Sequence, residues 1–261
     1  MPSALFEFFE LVAGELAPPE SKVITPESLK AKDRESSLLN DLKREMEVTN
    51  TEDAWGHAVE ALRKHFAAKG AKLPFEYFAD TGTFMVKDTA FLVFVKSMIK
   101  IRSNPKRSRD FECAVAGRLG NRVTGDIHRV GHPRQRKRTR AGFNSYLRKL
   151  GFQRPVLLDK DKDGGFDILW LLPVGSVPHR PIVSVQCKNA LFDLGEAGKS
   201  VSASSRSFGH HGGLLERVHV PCVLFNDYLY SEALPRKPLD FVPLGLSDLA
   251  ALEQKISVHI L

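Results

Sequence analysis

The sequence predicts an α/β protein: a mixed sheet flanked by helices over residues 108–261, and a mostly helical addition over residues 1–101. Three observations carry this. Phe166–Leu172 and Ile182–Lys188 are two apolar, β-prone runs set apart by Pro173, Gly175 and Pro178, which is the pattern of strand, turn and strand. The first 70 residues instead place apolar side chains at helical spacing. Charge divides the chain as well. Residues 96–150 carry 16 Lys+Arg against 3 Asp+Glu, whereas residues 1–95 carry 11 against 16 and residues 151–261 carry 11 against 12.

With 261 residues, 43% of them hydrophobic, the chain can bury one large core or two modest ones. A basic segment of this kind is the electrostatic footprint of a nucleic-acid binder; a solvated loop or an anionic-membrane contact would leave the same trace. Cys113, Cys187 and Cys222 are far apart and odd in number. That argues against a zinc site and a disulfide framework, and fits a reducing cytoplasm. The N-terminus has neither a basic leader nor a long apolar stretch, so no signal peptide is expected. The longest apolar run, Ala90–Val95, is far too short to cross a bilayer, and no membrane partner is expected.

In chain order, Leu5, Phe8, Phe9, Val12 and Leu16 share one face of a helix over residues 4–16, stopped by Pro18-Pro19. Thr25 and Pro26 open a helix over 26–47 with a thin stripe of Leu38, Leu39, Leu42 and Met46. Trp55, Val59, Leu62 and Phe66 mark a helix over 52–68, closed by Gly70. His57 and His65 on that helix have no acid at ligand spacing and read as surface or satisfied residues. Phe75, Tyr77, Phe84 and Val86 alternate about Thr81-Gly82, a hairpin pattern. Phe91–Ile101 fits a strand or a helix equally. The aromatic residues here suit a core better than a base-stacking platform. Residues 102–109 read as a basic linker between the two regions.

A helix over 108–120 follows, with Phe111, Val115 and Leu119 as its stripe and Gly120 as its end. Glu112 lies beside that stripe, placed either to point toward a metal or to pair with Arg109 or Arg118. Arg129, Arg134, Arg136, Lys137, Arg138 and Arg140 form the densest charge and are expected in an exposed loop over 129–140. Arginine predominates, which favours phosphate forks or base edges, and six paired cations would give a log–log salt slope of about −5. A short helix over 141–150 and a strand at Val156–Leu158 come next. Asp159, Asp161 and Asp163 read as a polar turn, because the closing Glu of a calcium loop is absent. Beyond Lys188 lie a Ser-rich helix or loop (residues 192–208), a turn at His210-His211, strands at Val220–Leu224 and Phe241–Leu244, and a last helix capped by Ser247.

The chemistry concentrates at Asp167, Gln186 and Lys188. Side chains alternate along a strand, so Gln186 and Lys188 share a face and Cys187 takes the other. Antiparallel pairing of the two runs would bring Asp167 beside them. A carboxylate, an amide oxygen and an ammonium group suit a hard divalent cation and a water poised to attack phosphorus. Asp167 is preferred to Asp163 because it opens the apolar strand. The bland alternative is a turn aspartate and an edge-strand lysine that aids solubility.

On these residues the chain resembles the PD-(D/E)xK nuclease superfamily, and within it the Mrr-like restriction endonuclease branch. Asp167 matches the metal-binding aspartate, Gln186 the second ligand position, and Lys188 the catalytic lysine. Phe111-Glu112-Cys113-Ala114-Val115-Ala116 resembles the family helix that supplies a further acid. The likeness covers residues 108–230. It departs at Phe166, where the family has proline, and in the 55 positions from Glu112 to Asp167. It implies a restriction-endonuclease-like fold and a Mg²⁺-dependent DNA endonuclease, with Mn²⁺ able to substitute. The metal would be held by Asp167, Gln186 and the backbone carbonyl of Cys187, with Glu112 completing the shell. It further implies a cytoplasmic homodimer that cuts both strands in restriction or antiphage defence. Two other readings stand beside it. One is a catalytically inactive DNA-binding module on a nuclease-like fold, motivated by the neutral Gln186. The other is a repair or recombination nuclease that recognises DNA structure.

Overall fold

The computed structural model describes residues 4–18, 23–25, 28–29, 38–123, 125–129, 167–175, 180–199, 219–228 and 239–254. The chain divides into two compact units, Met1–Ser103 with Ala250–Leu261, and Asn104–Leu249. The protein is mixed α/β, with one sheet in each unit among the described residues.

In the first unit α1 (Ala4–Leu16), β1 (Val23–Ile24), α2 (Leu38–Glu45), α3 (Thr51–Ala68), β2 (Phe75–Phe78), β3 (Thr83–Val86) and α4 (Thr89–Arg102) follow in order. The apolar face of α1 is buried as its spacing dictates, with Phe8 and Phe9 fully covered. Their rings meet Phe66, Phe75 and Phe84 at centroid separations of 5.4 to 5.9 Å. The hairpin pairs Phe75 with Val86 and Tyr77 with Phe84, and Gly82 takes the positive φ of 64° that its turn needs. β1, which sequence periodicity did not reveal, adds to β3 and gives the antiparallel order β1-β3-β2. The ambiguous run at Phe91–Ile101 is helical. Asp88 decides it, because its carboxylate caps α4 by accepting from the Phe91 N–H at 2.9 Å. His65 is buried against Phe6 and Phe66, a satisfied core histidine.

The second unit opens on a 3₁₀ turn (Pro105–Arg107) that runs directly into α5 (Ser108–Arg122). The boundary expected within residues 102–109 is there, after Ser103, but the stretch from Asn104 onward belongs to the second unit's first turn and helix. Asn104 accepts from the Lys106 N–H at 3.1 Å and Arg107 holds Asp110, so this basic stretch starts a helix. α5 continues past Gly120 to Arg122, because one glycine costs a helix only about 1 kcal/mol and its far side is packed through Phe111, Val115 and Leu119. Then come β4 (Asp126–Arg129), β5 (Ile168–Leu171), β6 (Ile182–Lys188), a short helix over 194–199, β7 (His219–Phe225), β8 (Val242–Leu244) and α6 (Leu246–Gln254). The sheet order is β4-β5-β6-β7-β8. β4/β5 and β5/β6 are antiparallel, whereas β6/β7 and β7/β8 are parallel.

β4 corrects the expectation of a loop beginning at Arg129. Its entry requires glycine: Gly125 has φ +108°, and a Cβ there would run into the Leu171 carbonyl. α5 packs on β4 and β6. Beside β7, Ala197, Val223, Phe225 and Phe241 close a core with Phe192 and Leu239. Ser247 is not a cap, since α6 begins at Leu246 and the Ser247 hydroxyl donates to the Tyr228 carbonyl at 2.8 Å. No described helix is long and apolar enough to cross a membrane. The expected helix over 141–150, the strand at Val156–Leu158, the start of the helix at Pro26, the aspartates from Asp159 to Asp163, the serines of the Ser-rich segment (residues 200–208) and His210-His211 lie outside the described residues.

His219, at the start of β7, sits with Nε2 2.7 Å from the Ser184 hydroxyl. Burial pushes its pKa below the ordinary 6.5. The unfolded chain therefore takes up this proton first, and the stability that the neutral ring contributes is present above about pH 6.5 and lost as pH falls. His219→Gln, which does not titrate, is expected to flatten that acid-side decline in urea titrations. An unchanged pH profile would refute the assignment.

Candidate active site where β5 and β6 part

Asp167 stands one residue before β5, where the ladder ends. Ile168 is opposite Val185, and the Asp167 N–H still donates to the Val185 carbonyl at 3.0 Å. Past that point the Cys187 N–H, which points to the β5 side, finds the Asp167 carboxylate: Oδ2 accepts it at 2.7 Å. The same oxygen accepts from Gln186 Nε2 at 2.6 Å. Asp167 is only 3% exposed, and two donors on one oxygen are what a buried carboxylate needs.

The N–H and C=O of a strand residue face the same neighbour. The Cys187 carbonyl is therefore turned to the Asp167 side, whereas the Lys188 carbonyl faces β7 and accepts from the Asn226 N–H at 2.9 Å. With its amide nitrogen on Asp167, Gln186 keeps its oxygen as an acceptor. A carboxylate, an amide and a peptide carbonyl on neighbouring residues offer oxygens of the hard type that Mg²⁺ or Mn²⁺ prefers. Among the described residues, no three His, Cys, Asp or Glu side chains are grouped so as to hold a metal ion. Within the set of Asp167, Gln186 and the Cys187 carbonyl, Asp167 is the one full carboxylate. The Cys187 thiol contributes nothing, because burial, then Asp167, then Glu112 push its pKa well above 9.0, with Arg129 opposing.

Lys188 shares its strand face with Gln186 and Ser184 and is half-buried. Its charge reaches the helix over 194–199: the Glu196 carboxyl is held below its usual range first by the hydrogen bond and charge of Lys199, and also by Lys188. The end of β6 is braced by a chain of amides. Besides its backbone bond to Lys188, buried Asn226 donates through Nδ2 to Asn189 Oδ1 at 2.9 Å, and Asn189 donates to the Asn104 carbonyl at 3.4 Å. Sequence reasoning missed this brace, because an asparagine after a strand carries the ordinary signature of a turn.

Glu112 is placed differently. In the register Arg129 is opposite Ile168 and Ile168 is opposite Val185, so Arg129, Val185 and Cys187 share one face. On that side Glu112 of α5, 8% exposed, accepts from Arg129 Nη2 at 3.1 Å. The structure thus gathers Asp167, Gln186 and the Cys187 carbonyl, sets Lys188 on the Gln186 face, and puts Glu112 in an ion pair on the other. Arg129 belongs to this pair and not to an exposed loop. Arg134, Arg136, Lys137, Arg138 and Arg140 lie outside the described residues. No family model, no curated protein and no solved structure matches this chain.

Proposed function

We propose that the chain is a metal-dependent endonuclease hydrolysing phosphodiester bonds in DNA, with Asn104–Leu249 as a restriction-endonuclease-like unit. The observation that supports this best is the buried Asp167 carboxylate, oriented by the Gln186 amide and the Cys187 N–H at the open end of β5, with Lys188 one residue further along β6. Asp167, Gln186 and the Cys187 carbonyl would hold Mg²⁺ or Mn²⁺, which would polarise the phosphate and lower the pKa of a bound water. Lys188 holds the attacking water and offsets charge growing on the phosphate oxygens. Gln186 and the Cys187 N–H keep Asp167 in one rotamer. The basic stretch from residue 96 to 150 attracts the duplex. Restriction or antiphage defence in a cytoplasm is the setting, and a homodimer supplies one site per strand.

One observation favours a different class of function. Gln186, which stands beside Asp167 where a second carboxylate would hold a cation more firmly, is neutral, as in a DNA-binding module without chemistry. Incubation of plasmid and phage DNA with Mg²⁺ or Mn²⁺ separates the two. Wild type is expected to nick and linearise DNA, and Lys188→Met to be slower by about 10²–10³ with binding retained. Salt-sensitive binding without cleavage by either protein would establish the module. Equal cleavage by both would remove Lys188 from the mechanism. A preference for branched over linear DNA would move the assignment to repair or recombination.

A further inference from the structure

We propose that the 3₁₀ turn Pro105–Arg107 and the first turn of α5 form a docking surface for the nucleic-acid backbone, with Lys106 and Arg109 as its phosphate-binding side chains. The proposal rests on the reading above only in taking DNA as the substrate.

Position is the first argument. The Asn104 carbonyl, which immediately precedes the turn, accepts from Asn189, and Asn189 follows Lys188 in the chain. The turn is therefore tied to the end of β6 that carries the catalytic lysine. Buried Asn226, just after β7, fixes Asn189, whereas the Asn189–Asn104 bond itself lies at the surface, where a nucleic acid can reach the turn.

Charge is the second. Lys106 and Arg109 are exposed, and neither side chain makes an ion pair or hydrogen bond with a described residue. Arg107, between them, is different: it is half-buried and its guanidinium holds Asp110 at 2.6 Å. That pair neutralises the nearby acid and leaves the two flanking cations uncompensated.

Direction is the third. Lys106, Arg109 and Glu112 succeed one another at three-residue spacing, which keeps them along one side of the turn and helix. Glu112 faces the sheet through Arg129, and Arg109 stands about 4.5 Å further toward the helix start. A lysine presents a point charge and an arginine a planar fork, and both suit phosphate oxygens without reading bases. The surface thus supplies sequence-independent contacts next to the bond to be cut.

The test uses the full-length protein and a fluorescein-labelled linear duplex, with anisotropy read across a KCl series. Lys106→Gln combined with Arg109→Gln is expected to reduce the log–log salt slope by about 1.8, near 0.9 for each contact, and to weaken low-salt binding. Lys106→Arg with Arg109→Lys, which keeps both charges, should keep the wild-type slope. An unchanged slope in the glutamine variant overturns the surface, as does a wild type that binds no duplex. A loss seen only with phosphatidylserine vesicles overturns it in favour of a lipid contact. Cleavage assays on the same proteins separate the two readings. A lost slope in a protein that never cleaves keeps the surface and sinks the nuclease, whereas Lys188-dependent cleavage with an unchanged slope does the reverse.

Discussion

Asp167→Asn is expected to lower metal-dependent cleavage by about 10³ or more while leaving the fold in place. Asparagine keeps an oxygen for the Cys187 N–H, which the carboxylate accepts at 2.7 Å. That oxygen also accepts from Gln186 Nε2 at 2.6 Å, so asparagine keeps both bonds with its oxygen in the Oδ2 position. Only their charge-assisted strength is lost, and stability falls by about 1 kcal/mol. What disappears is the one full negative charge of the oxygen set, and with it the grip on a divalent cation. Asp167→Ala is the blunter variant. It leaves a buried N–H and an amide without their acceptor, a loss of about 1–3 kcal/mol, and so mixes folding with chemistry. Plasmid nicking, Mn²⁺ binding by electron paramagnetic resonance and the urea midpoint, read together, separate these effects. An Asn variant that cuts at the wild-type rate would show that Asp167 is structural.

The central part of this site was legible because it is local. Alternation along Ile182–Lys188 and the Pro/Gly stop after Leu172 fix which side chains share a face, and the observed antiparallel register Ile168↔Val185 follows. The amphipathic faces of α1 and α3 were legible for the same reason. The misses are non-local. Asp126-Ile127-His128-Arg129 has one β-branched residue among polar ones, so it carries no strand signal. It becomes a strand because β5 pairs with it and Glu112 holds Arg129. The stretch at 102–109 does hold the division between the units, but its linker-like composition hid that Asn104 and Pro105 are helix-opening residues in the right order. Asn226 acts only across the parallel β6/β7 pairing, which no window of sequence contains. Sequence spacing offered Glu112 the helix neighbours Arg109 and Arg118 but not Arg129, because Arg129 arrives on β4, a strand without a sequence signal.

Arg129→Met follows from that partner. The two side chains are 16% and 10% exposed, so the pair is largely desolvated. Removing the guanidinium leaves a carboxylate buried near Asp167 and the Cys187 thiol, with no compensating charge from β4. Stability is expected to fall by about 3 kcal/mol, the lower end for a broken buried pair. Glu112→Gln combined with Arg129→Met should recover most of that loss, because both charges are gone. The electrostatics at the metal site move the other way. Arg129→Met makes the surroundings of Asp167 more negative, so Mn²⁺ should bind more tightly, whereas Glu112→Gln alone should weaken it. Duplex binding gives the decisive contrast. An arginine in contact with phosphate contributes about 0.9 to the log–log salt slope. Arg129 is spent on Glu112, so its variant should keep the wild-type slope while losing stability. A slope reduced by that amount with unchanged stability would return Arg129 to the DNA interface and leave Glu112 held by other contacts.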